Sequence, residues 1–179
     1  MAISAAIWLV SAGCDNRPAP KPASIRTDEQ VCGEQLKQVY QAIQAYRRDH
    51  KELPGWLSGL VPQYLADTNI LICPTLARNP KPRPYGGLGD PVIPAAYVYD
   101  FSNALWVGQP MREFKRRQMG LVGGGIPLVR CHQHEKALSI SFDGALFEGP
   151  VTWELSYADV LDPAELSVER LFPEQNRNR

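Results

Sequence analysis

Residues Thr27 to Asp49 constrain this chain more than any other stretch. Val31, Leu36, Val39, Tyr40, Ile43 and Tyr46 recur at three- and four-residue steps and make one apolar stripe. Glu34, Lys37, Gln41, Gln44, Arg47 and Arg48 fill the opposite face. Thr27-Asp28-Glu29-Gln30 has capping-box spacing: the threonine hydroxyl meets a free amide and the glutamine reaches back. The pattern predicts an amphipathic helix from about Asp28 to Asp49, stopping before Leu53-Pro54. Such a helix needs an apolar surface to lie on, and the rest of the chain has to supply it.

That surface is a small sheet. Leu138, Ile140 and Phe142 alternate with Ser139 and Ser141, and Asp143-Gly144 follows as a type I′ turn signal. In that register Phe142 faces Ala145 and Ile140 faces Phe147. "AAYVYDFS" and the segment after Gly123-Gly124-Gly125 read as further strands, and "NILICPT" as a strand or extended piece. Trp56, Leu57, Leu60 and Val61 have helix-like spacing that Pro62 limits to a turn or two. Residues 78–94 form a Pro/Gly-rich loop, and "PMREFKRRQMG" a short basic helix whose charge suits solvent or an acidic partner. Sixteen prolines and fourteen glycines in 179 residues agree with short elements and many turns. The fold class expected is α+β: one long N-terminal helix packed on a small antiparallel sheet, with an irregular connector.

The ends have a different character. "MAISAAIWLVSAGC" carries no charge and is shorter than the roughly 20 apolar residues a spanning helix needs. It reads as the apolar core of a secretory signal, and Ser11-Ala12-Gly13-Cys14 is similar to a bacterial lipobox, which makes Cys14 the lipidation candidate. Residues 15–26 alternate proline with small or polar residues and form a semi-extended tether. The division expected is a signal segment at 1–14, a tether at 15–26, a globular domain at 27–150 and an extension at 151–179. In the extension "VTWELSYADV" suits a strand, and Asp162-Pro163 opens a short helix to about Leu171. Lysine plus arginine equals aspartate plus glutamate at 19 each, so no global field points to nucleic acid.

"LKQVYQAIQAYRRDHKELPGWLSGLVPQYL", "ILICPT", "AAYVYDFS" and "RCHQHEKALSISFDG" together resemble the globular part of type II secretion pseudopilins, over roughly Val31 to Glu148. Where that family has a long apolar N-terminal helix, this chain has the lipobox-like run and the tether. The resemblance implies a non-enzymatic, exported domain, and the lipobox-like run ending at Cys14 adds a lipid anchor. Its partners would be other envelope or secretion-system proteins, met in a secretion or pilus-like assembly outside the cytoplasm.

Apart from Cys14, the chain has Cys32, Cys73 and Cys131. Outside the cytoplasm two of three can pair. Cys32–Cys73 is favoured because Cys73 ends the segment returning along the helix; Cys131 is the alternative partner, and three reduced thiols the remaining state. Cys131-x-x-His134 has metal-ligand spacing, but a structural zinc needs four donors. On a continuing strand these two residues also point to opposite faces. His50 has no ligand spaced beside it, and His132 and His134 read as polar loop residues. The expectation is therefore no metal, no cofactor and no catalytic residues. The alternative is a periplasmic binding module taking a small ligand or metal through Cys131 and His134.

Overall fold

The computed structural model describes residues 26–78, 89–93, 95–106 and 108–150. The signal segment, Cys14, the tether to residue 25, most of the 78–94 loop, and the strand and helix expected after Val151 lie outside the described residues.

Helix α1 spans Asp28–His50. Thr27 Oγ1 accepts from the Gln30 amide at 3.2 Å, and the Gln30 side chain accepts from the Thr27 amide at 3.0 Å. Both halves of the capping box therefore form. The helix ends at Lys51, which turns left-handed at φ 61° and donates its amide to the Arg47 carbonyl. Leu36, Val39 and Ile43 of the stripe are fully buried, each worth about 1.5–3 kcal/mol of transfer free energy.

The surface beneath is a four-stranded antiparallel sheet in the order β1-β4-β5-β6: Val98–Tyr99, Pro127–Cys131, Ala137–Ser141 and Leu146–Gly149. A second hairpin pairs β2 (Leu105–Trp106) with β3 (Gln109–Pro110), turning at Gly108 with φ 77°. This expected α+β class, one long helix on a small antiparallel sheet, is the architecture observed. Helix α1 packs on β4 and β5. Val129 pairs with Ile140 and Cys131 with Leu138, and these residues line the face turned to α1. Gly33 allows the close approach, because a Cβ there would stand 3.0 Å from Leu146 Cδ2.

Three expectations about the fold need correction. The β5–β6 register is one residue from that expected: Ile140 pairs with Leu146, and Ser139 with Phe147. The Gly144 amide bonds the Ser141 carbonyl, Ser141 and Ala145 close the loop, and Gly144 has φ 88°. Asp-Gly thus serves a three-residue loop instead of a two-residue I′ turn. Ser141 Oγ accepts from the Ala145 amide at 3.0 Å and favours the longer closure. The slip moves Phe147 to the far face and leaves Leu146 facing α1. Phe142 instead packs near Phe101, with ring centroids 5.2 Å apart.

"NILICPT" is no strand. Asp67 caps the Asn69 amide at 2.8 Å and starts a 3-10 turn over Thr68–Leu71, and helix α2 follows at Pro74–Arg78. The other face of β4 and β5 carries Arg130, Ser139 and Ser141, all buried. There Arg130 donates twice to Asp100 Oδ1, at 3.1 and 2.9 Å. Lys115 of helix α3 (Met111–Val122) lies 3.1 Å from Asp100 Oδ2. The basic segment is therefore not wholly a solvated face: Lys115 is fully buried, and Arg112 donates to the Pro54 and Phe101 carbonyls.

Candidate metal centre

Three segments far apart in sequence meet at one end of the α1–sheet interface. Cys32 sits in the second turn of α1, on the face that Gly33 brings down to the sheet. Its thiol donates to Tyr97 Oη at 3.6 Å, and Tyr97 donates in turn to Gln35 Oε1 at 2.8 Å. Burial and the adjoining Cys32 sulfur push the Tyr97 hydroxyl up, so it stays a neutral donor beside the thiol.

Cys73 precedes α2 directly. Its carbonyl accepts from the Ala77 amide at 3.0 Å, with Pro74 at the first helical position. Helix α2 is tied to the start of α1, because Thr75 Oγ1 donates to Asp28 Oδ2 at 3.3 Å and Arg78 pairs with Asp28. Hydrogen bonding with the neighbouring Cys131 and Cys32 sulfurs, joined by the Leu76 and Thr75 amides, holds the Cys73 thiol well below its ordinary value. A sulfur fed by thiol and amide hydrogens is stabilised as thiolate, the form that binds metal.

Cys131 is the last residue of β4, and the chain leaves the strand at once. The loop 132–136 folds back, so His134 reaches the same side as Cys131 and its Nε2 stands 3.5 Å from Cys73 Sγ. The expectation that the two point apart assumed a strand continuing through His134. The turn removes that objection.

The donor atoms of Cys32, Cys73, Cys131 and His134 all lie within 4.8 Å of one another. A tetrahedral ion at the usual Zn–S and Zn–N lengths sets donors about 3.6–3.8 Å apart. The His134–Cys73 separation already matches. The three cysteines are free thiols, so neither Cys32–Cys73 nor a bridge to Cys131 is formed, although all three are neighbours. All three sulfurs are buried. Hydrogen bonds with Cys32 and Cys73, together with burial, push the Cys131 thiol up. Cys32 is pushed up to about 12: Cys131 pulls it down, but Cys73 and burial outweigh that pull. A metal bound there would displace the thiol protons.

His132 is half-buried in the same loop and is not part of the cluster. His50 lies elsewhere, stacked on Tyr46 at 4.1 Å. Sequence reasoning placed Cys32 on α1 and Cys131 on a strand, but not Cys73 ahead of α2, and did not combine all three with His134. The available signal was arithmetical: three cysteines cannot pair off evenly, and with one histidine they complete a four-donor set. Comparison with protein-family models, with curated proteins and with solved structures returned no match.

Proposed function

We propose that this chain is a non-catalytic domain stapled by a metal ion held on Cys32, Cys73, Cys131 and His134. The observation that carries the reading is the convergence of four donors, from α1, the start of α2, the end of β4 and the β4–β5 loop, within 4.8 Å. Three sulfurs and one imidazole nitrogen in a compact cluster suit zinc(II). With all four positions taken by protein, no position is left for a substrate or an activated water, which is the mark of a structural site. Bound there, the ion would supply a cross-link between helix and sheet and would keep the thiolates from pairing. That protection suits a domain carrying three reduced cysteines outside the cytoplasm.

The setting we propose is the bacterial envelope. The apolar run ending at Cys14 and the proline-rich tether support export and lipid anchoring, with the domain working through protein–protein contacts in a secretion or pilus-like assembly. In this reading Cys14 carries the attachment; no helix among the described residues is long and apolar enough to cross a membrane.

The test is elemental analysis of the chain purified without a histidine tag. One zinc per chain is expected, lost in Cys131→Ser. Metal content unchanged by Cys131→Ser would overturn the assignment.

A further inference from the structure

Three of the four donors are sealed in the core and one is not. Cys32, Cys73 and Cys131 are completely buried, whereas His134 is half-buried and forms part of the wall of a cavity of about 240 Å³. The other walls are Glu29 from the first turn of α1, Glu135 and Lys136 from the β4–β5 loop, Leu138, and Glu148 from β6. Three carboxylates face one ammonium group there, so the cavity has two more anionic groups than cationic ones.

Resting on the metal centre proposed above, we infer that this cavity is the route by which a hydrated divalent cation enters and leaves, with His134 as the ligand that moves to let it pass. The thiols are poor candidates for that motion. Cys32 is fixed by the hydrogen-bond ladder of α1 and Cys131 by its pairing with Leu138, so displacing either opens the core. Cys73 is held by its carbonyl, which accepts from the Ala77 amide of α2 at 3.0 Å. His134 stands on a short loop between two strands, and its side chain can swing without breaking a backbone ladder.

Size and charge agree. Six waters at about 30 Å³ each fill about 180 Å³, so the cavity can take a cation with its hydration shell. Glu29, Glu135 and Glu148 are solvent-exposed. They raise the local cation concentration beside His134 without binding the ion tightly themselves, and salt weakens that attraction. The ion then gives up its waters to three thiolates and the returning imidazole.

The experiment follows metal movement in the full-length chain. Zinc uptake by the stripped, reduced protein is timed in wild type and in the Glu135→Gln/Glu148→Gln double variant. Both substitutions are on the surface, outside the ligand set. Uptake in the double variant should slow about threefold or more at low salt, and the difference should vanish near 1 M salt. Zinc at equilibrium should stay at one per chain. Release from loaded His134→Ala to excess chelator should be at least about tenfold faster than wild type, and added imidazole should slow it again by refilling the vacated position. Wild-type uptake rates in the double variant at low salt would overturn the route. Release unchanged in His134→Ala would overturn the gate. A wild-type chain that takes up no zinc would instead overturn the centre itself.

Discussion

Stripping the proposed metal ion should lower the melting temperature of this domain without unfolding it at room temperature. The three sulfurs lie in a core that also holds Leu36, Val39, Ile43, Val129 and Ile140, all almost completely buried. Without the ion the thiols can take up protons, and a neutral thiol is a small apolar group that tolerates burial. The helix-to-sheet contact therefore survives, and the stripped domain loses the binding free energy alone. With free zinc about 1,000-fold above its dissociation constant, that contribution is about 4 kcal/mol. For the domain at 27–150, with about 2.1 cal/mol/K of unfolding entropy per residue, this corresponds to a fall of about 15 °C. Differential scanning calorimetry under reducing conditions, with and without a zinc chelator, reads the shift. Cys131→Ser should melt near the stripped value and ignore the chelator. An unchanged melting temperature in protein shown to have lost its zinc would refute the staple, because the ion would then add nothing across α1, α2 and β4.

The ion cluster on the other sheet face gives a second test. Asp100→Asn removes the carboxylate shared by Arg130 and Lys115 in a fully buried position, and should cost about 3–5 kcal/mol in denaturant unfolding; a loss under about 1 kcal/mol would contradict the geometry. Fatty-acid labelling in a bacterial host should depend on Cys14, and label that persists in Cys14→Ser would end the anchor proposal.

The parts of the fold legible in the sequence are those set by short-range chemistry. Thr27 and Gln30 are three residues apart, so the capping box and the start of α1 can be read directly, and the stripe from Leu36 to Ile43 marks the buried face. The hairpin was legible in kind but not in register. Asp143-Gly144 accommodates either a two- or a three-residue loop, and the Ser141 hydroxyl that favours the longer one gives no periodic signal. "NILICPT" read as a strand or extended piece from its β-branched residues, but a 3-10 turn capped by Asp67 occupies Thr68–Leu71 and leaves only Ile72 extended. The centre was the least legible part. Cys32, Cys73 and Cys131 are dozens of residues apart and meet through tertiary packing alone, and the turn that aims His134 comes from a strand ending where alternation would have carried it on.

The position of Cys32 has a mechanical consequence. The chain enters the domain at Arg26, and Cys32 follows six residues later. A load arriving along a tether there first meets the Thr27 cap and a single helical turn. It would next reach the sulfur that a bound ion joins to β4 and the β4–β5 loop. Metal would then act as an anchor bolt at the point of attachment, spreading tension into the sheet before it can peel α1 away. The same domain without metal would resist pulling through apolar contacts alone, which are short-ranged and give way one after another. A loaded centre would thus make the domain stiff in the one direction from which an anchored protein is pulled.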